Sequence, residues 1–435
     1  MPGFPSRHSP LLPDGTAGCA QYPFWVLEAT ASRGPSALRF HNVRLFVAGQ
    51  GLSNIGTFSQ LVALSLLVLQ LTDSGLALGA VMAAQALPFM LLGPWAGTVL
   101  DRLPLRRVLF VTALLGAVQA ACLAALAFTG TITLALLFVL AIGLGCVQVF
   151  DRPGSQAFIA ELVPREAIAG AVGLTSSAQA IGRLGGPALA AVLYAWAGAG
   201  SVFAINSASF AAVLVALVLL RSSELRPRAI HSGRRTDMST AFRFAWRSPS
   251  IRSAMLANAV IGLLAFNFPT FYASLSSLTF GQPSLFGVAE SINAVTSLGA
   301  GVLLARQVRQ PTLSTVGIAA ICLGSSLAWV ALSPTSTVFL AAMPYFGFAV
   351  VWYSTSSQAM IQQHSPAEMG GRMMSLYALG SMGTTPLGAL IVGAAIDLWS
   401  PRAAIGLGAS SAVVAGLALW LIAARASSGS DSTRP

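Results

Sequence analysis

Apolar runs of about 20 residues follow one another almost without pause from Val43 to Ala424, and no other feature limits the fold so sharply. Wound as a helix at about 1.5 Å per residue, each run matches the roughly 30 Å hydrocarbon core of a bilayer. Only 9% of the 435 residues are charged and 55% are hydrophobic, whereas a soluble domain carries about 25% charged residues. Lipid is therefore the main solvent of this chain.

Breakers and arginines divide the runs into spans near 43–71, 77–100, 108–129, 132–151, 170–197 and 201–220, then 252–275, 284–305, 312–332, 335–360, 372–396 and 401–424. The sequence thus predicts an all-α membrane protein of about twelve transmembrane helices in two pseudo-symmetric six-helix bundles. The net charge of +11 comes from arginine, since every one of the 24 basic residues is Arg. All but Arg183 and Arg402 fall on alternate connections or in the tails, so they share one side. That side is expected to be cytoplasmic, with both termini there, in the cell membrane. The charge is a topology signal and gives no reason to expect nucleic-acid binding.

The polar stretch 221–250, with Pro227 and Pro249, sits midway and reads as a cytoplasmic linker between bundles 39–220 and 251–424. Residues 1–38 and 425–435 read as tails, the first rich in Pro, Ser and Gly. The halves repeat: Ser155-Gln156-Ala157 recurs as Ser357-Gln358-Ala359, and Leu174 as Leu376, at an offset of 202 residues. Duplicated halves are typical of secondary transporters, which rock one bundle against the other around a central site. Cys19, Cys122, Cys146 and Cys322 are scattered and no metal spacing occurs, so neither a cofactor nor a metal is expected. No Walker loop or G-x-S-x-G elbow appears, which speaks against an enzyme and against ATP as the energy source.

After the second span the chain reads Gly97-Thr98-Val99-Leu100-Asp101-Arg102-Leu103-Pro104-Leu105-Arg106-Arg107. Gly97 permits close helix approach, and Asp101 can pair with guanidinium groups in one conformation and release them in another. The competing reading is that the arginines only fix topology. This loop closely resembles the G-x-x-x-D-R-x-x-R-R pattern of the major facilitator superfamily. The stretches 71–79 and 156–164 are similar to the bacterial branch that includes the enterobactin exporter and macrolide efflux proteins. The resemblance covers about 40–424 and implies that the loop packs near span eleven. In the second half Gly301 and Arg306 keep the pattern but Ala305 replaces the acid. Asp151, at the expected inner end of span four, is either a member of the same network or a helix-end charge.

Charges inside lipid are costly and face protein or water. Arg183 lies within span five, in Gly182-Arg183-Leu184-Gly185-Gly186-Pro187. Gly182, Gly186 and Pro187 resemble an antiporter motif of the superfamily, and small residues with proline suit a bent, closely packed helix. Glu290 lies about 10 Å into span eight, with Asn293, Ser297 and Gly301 following on its face. It is either a proton carrier facing the cavity or a structural carboxyl. The estimated depths of Arg183 and Glu290 differ by about 11 Å, which argues against contact. Gln50 and Asn54 share a polar face of span one. Span four lacks the embedded arginine of many drug/proton antiporters.

These features predict a protein, functional as a monomer, that exports a small, partly hydrophobic molecule by alternating access in exchange for protons. An importer or uniporter of the same fold, and a non-transporting receptor or scaffold, are the competing readings.

Overall fold

The computed structural model describes residues 37–226, 238–305, 310–366 and 369–431. Almost all of the expected N-terminal tail therefore lies outside the described residues, as do Arg228, Arg234 and Arg235 of the linker, Arg306, Arg309 and Arg434. The longer helices are α1 (His41–Thr72), α2 (Gly75–Arg102), α3 (Leu105–Phe128), α4 (Leu134–Leu162), α5 (Ile168–Leu219), α6 (Met238–Arg247), α7 (Pro249–Leu264), α8 (Phe268–Ser274), α9 (Ser284–Ala305), α10 (Leu313–Leu332), α11 (Ser336–Gln363), α12 (Gly370–Ser381), α13 (Thr385–Leu398) and α14 (Pro401–Asp431). No strand occurs among the described residues. Short connections are closed by side chains at helix starts: Ser74, Thr133, Thr312 and Thr335 each accept a backbone N–H of the first turn.

Eleven helical stretches among the described residues are long and apolar enough to cross a membrane. One of them, within α5, is two segments. A straight α5 of 52 residues would run about 78 Å, but Gly198 takes φ 70° and ψ −176°, conformations open to a residue without Cβ. Ser201 Oγ then donates to Leu193 O at 3.3 Å, two groups that a continuous helix would hold about 12 Å apart. The chain reverses there into arms 168–197 and 199–219, matching the fifth and sixth expected spans. Expected span seven is α7, α8 and a π turn at Leu275–Thr279, with a break near Asn267. Expected span eleven is α12 followed by α13, separated around Gly383.

Span four departs from expectation. The Asp151-Arg152-Pro153 run looks like a helix end, yet α4 continues to Leu162 with Pro153 inside it. Membrane helices accept such a proline because neighbours satisfy the freed carbonyl. Arg152 thus belongs to the helix and not to a loop.

Within the first half, α1 is gripped by both arms of α5. A Cβ at Gly182 would stand 2.5 Å from Asn54 Cβ, and one at Gly49 would stand 3.0 Å from Ala216 Cβ. A buried polar chain ties four helical segments: Asn206 Nδ2 donates to Gln60 Oε1 (2.7 Å), Gln60 Nε2 to Gln119 Oε1 (3.2 Å), and Gln119 Nε2 to Leu140 O (3.2 Å). Interhelical bonds of this kind contribute about 0.6 kcal/mol each in lipid, and more in favourable cases. In the second half, α10 and α14 cross backbone to backbone at Gly317 and Gly416.

The apolar cores show how the halves meet. One buried cluster joins Val62–Leu69, Leu78, Val81 and Phe203 of the first half to the core of the second. A separate cluster around Phe46, Leu109, Phe158 and Leu217 fills only the first half, at its arginine-rich end. Contacts between halves agree. On the arginine-poor side a Cβ at Gly393 of α13 would stand 2.5 Å from Gly75 O of α2, and one at Gly287 of α9 would stand 2.7 Å from Ala191 Cβ of α5. Toward the arginine-rich side such contacts stop: α4 packs on α1, α2, α3 and α5, and α11 and α12 pack on helices of the second half. The halves are pressed together at one end and part at the other, leaving a cleft open on the arginine-rich face.

Candidate functional site

The closed end of the cleft holds a cavity of about 80 Å³ between the halves. Its walls are Phe58, Leu61 and Val62 of α1, Arg183 and Pro187 of α5, Phe268 and Pro269 of α8, and Phe286, Glu290 and Asn293 of α9. Pockets for drug-sized ligands measure about 300–1,000 Å³, so this cavity alone is too small to hold one. The wall is mostly apolar, with one cation and one carboxyl from opposite halves.

Arg183 and Glu290 line one cavity, nearer in depth than expected, yet among the described residues they form no ion pair, so the expectation of no direct contact holds while the depth estimate behind it does not. α5 and α9 run antiparallel, and Gly287 packs against the Pro187 carbonyl while Ser291 Oγ donates to Leu184 O at 3.4 Å. In that register α9 starts several residues short of the end of the first α5 arm, so the assumption that both ends lie at one depth fails by about 10 Å. Arg183 is exposed to the cleft and Glu290 is half-buried.

The polar stripe divides. Glu290 and Asn293 line the cavity, but Ser297 Oγ turns to its own half, donating to Asn293 Oδ1 and to Gly347 O of α11, both at 3.3 Å. On α1, Gln50 Nε2 donates to Ser155 Oγ of α4 at 2.9 Å, and Asn54 backs onto Gly182. Gly182 and Gly186 are packed on α1 inside the first half: a Cβ at Gly186 would stand 2.6 Å from Phe58 Cβ. Only Pro187 of that motif reaches the facing half.

The loop after α2 sits at the open end. Gly97 has no close neighbour, so the expected tight approach is not made in this conformation. Arg102 and Arg107 are exposed. Arg106 turns to the end of α5, where Nε donates to Leu217 O (3.0 Å), Nη2 to Val218 O (3.3 Å) and Nη1 to Ser222 Oγ (2.6 Å). A guanidinium on final-turn carbonyls satisfies groups that a helix end leaves open. Asp101 occupies the last turn of α2. Asp151 accepts from Thr112 Oγ1 of α3 at 2.9 Å, and lies about 16 Å before the end of α4, so it is not a helix-end charge.

Sequence reasoning missed the contact that closes the other end. Asp397 of α13 accepts from Ser74 Oγ (2.6 Å), from Gly75 N, and from Leu76 N (3.1 Å), capping α2 of the opposite half. A carboxylate at a helix N-terminus answers both the open N–H groups and the dipole. The only sequence signal was an acid at the end of an apolar run. Also missed were Phe268, set edge-on to Phe346 with centroids 4.7 Å apart, and Arg152, exposed on α4.

Paired helical bundles around a cleft are the architecture of the major facilitator fold. The crystal structure of the peptide transporter POT in complex with sulfate superposes with TM-score 0.71 at 15% identity, over 89% of this chain and 95% of that one. By sequence the chain belongs to the transmembrane secretion effector family of the major facilitator superfamily, whose pattern matches residues 34–434. Relatives include the multidrug efflux pump Tap of Mycolicibacterium fortuitum, 26% identical over 84% of this chain and 90% of the relative. Macrolide efflux protein A of Streptococcus pyogenes is 24% identical, with 79% and 86% covered. The staphyloferrin A transporter of Staphylococcus aureus is 23% identical, with 82% and 90% covered. The expected family and its efflux branch are thereby borne out.

Proposed function

We propose that this transporter exports a small, partly hydrophobic organic compound, a drug, siderophore or secondary metabolite, by alternating access in exchange for protons. All twelve apolar segments cross the cell membrane, both termini face the cytoplasm, and the bundles 39–220 and 251–424 move about the linker 221–250 as a functional monomer. The observation that carries this reading is the cleft itself, open on the arginine-rich face and ending at Arg183 and Glu290. With that face cytoplasmic, the conformation is the one in which an exporter loads its cargo. The apolar and aromatic wall suits a bulky solute, and two of the relatives are named for efflux.

Glu290 is assigned as the proton carrier and Arg183 as the charge that answers it when the carboxyl is ionised. Gly97, Asp101, Arg102 and Arg107 are assigned to the opposite gate, engaged when the arginine-rich ends close. Inside-out vesicles test the assignment: uptake of a candidate drug or siderophore should collapse on adding a protonophore, and Glu290→Gln should abolish that sensitivity. Uptake indifferent to the protonophore removes proton exchange, and flux only in the inward direction removes export.

A further inference from the structure

α6 ends at Arg247 and α7 starts at Pro249, so α6 lies at the depth where the seventh span enters the bilayer, on the arginine-rich side. One of its faces is occupied: Ala241 and Ala245 are buried against the second half. Another is not. Phe242 and Trp246, one turn apart, stack with centroids 5.8 Å apart and planes at 18°, yet stay 56% and 52% exposed. Arg243 and Arg247 stand beside them, both exposed, and the Arg252 guanidinium lies 6.0 Å from the centre of the Trp246 ring. Phe242, Arg243 and Trp246, with Leu376 of α12, line a groove of about 520 Å³.

Two exposed rings beside three guanidinium groups are unfavourable both in bulk water and in hydrocarbon. They match the headgroup layer, where aromatic rings take the apolar boundary and arginines meet phosphates. We propose that α6 is a binding surface for anionic phospholipid of the adjacent leaflet, with phosphate on Arg243 and Arg247 and an acyl chain in the groove against Leu376. The linker between the bundles is then fastened to the membrane. This inference rests on the chain being membrane-embedded and is independent of substrate and direction.

Quenching of tryptophan fluorescence tests it in the full-length protein, reconstituted in phosphatidylcholine vesicles. Brominated phosphatidylglycerol or brominated phosphatidylcholine is added at the same mole fraction, and a Trp246→Phe variant isolates the Trp246 contribution. The expected result is that Trp246 is quenched more by the anionic lipid, and that the preference falls roughly five-fold for each arginine removed in Arg243→Gln and Arg247→Gln. Equal quenching by both lipids overturns the headgroup assignment. No quenching of Trp246 overturns the lipid surface and points to a protein segment, such as the loop after α2, as the occupant.

Discussion

Opening the cleft on the arginine-poor side requires Asp397 to leave the start of α2, which makes Asp397→Asn the sharpest probe of the two-ended gate. The carboxylate accepts three hydrogen bonds there, from Ser74 Oγ, Gly75 N and Leu76 N. Bonds to a charged acceptor are worth about 1.5–3 kcal/mol when sheltered, and a charge at an exposed helix start about 0.3–1 kcal/mol. Asp397 is exposed, and asparagine keeps one acceptor oxygen, so the loss should be about 1–2 kcal/mol. The population closed on the arginine-rich side should therefore rise about 5- to 30-fold. Spin labels at Leu103 and Gln363, exposed at the arginine-rich ends of opposite halves, report that closure when placed in a background without the native cysteines. The distance distribution should gain a shorter component in Asp397→Asn. A well-folded variant with an unchanged distribution would refute the claim that this carboxylate holds the halves together.

Arg106→Gln removes three charge-assisted bonds, two to the end of α5 and one to Ser222 just beyond it, and should lower stability by about 1–2 kcal/mol, read as an earlier thermal transition in detergent. Gly186→Val forces a side chain into the 2.6 Å gap to Phe58 Cβ and should cost about 3 kcal/mol or more, seen as loss of monodisperse protein. Gly97→Ala meets no neighbour and should leave stability within about 1 kcal/mol, while slowing transport if α2 is approached closely in the other state; unaltered turnover would dismiss the glycine from the gate. Asp101→Asn should insert normally and transport slowly, and full transport would reduce the loop to a topology signal.

The spans were readable because a bilayer imposes length and polarity on each helix separately. Even the reversal near Gly198 was legible, since it falls between two runs. Close packing at Gly182 and Gly186 could be anticipated from residue size, but not its target, because helix α5 presents small residues on one face and Pro187 on another. Arg183 and Glu290 were mispositioned because depth was counted from helix ends that are not level. α4 was cut short because Pro153 stops helices in water more strictly than in a membrane. Asp397 was invisible for a different reason: two of its three partners are backbone groups 321 and 322 residues away, which leave no pattern in side-chain identity, and the third is a serine hydroxyl 323 residues away.

The seam between α2 and α13 brings main chain against main chain at Gly79 with Ala389 and at Gly393 with Gly75, beside the Ile396 side chain seated on Gly75. Where main chain meets main chain, few rotamers have to be sorted when the surface parts or closes again. In the proposed rocking motion, the walls at Phe58, Phe268 and Phe286 can therefore change to suit another cargo while this seam is left untouched.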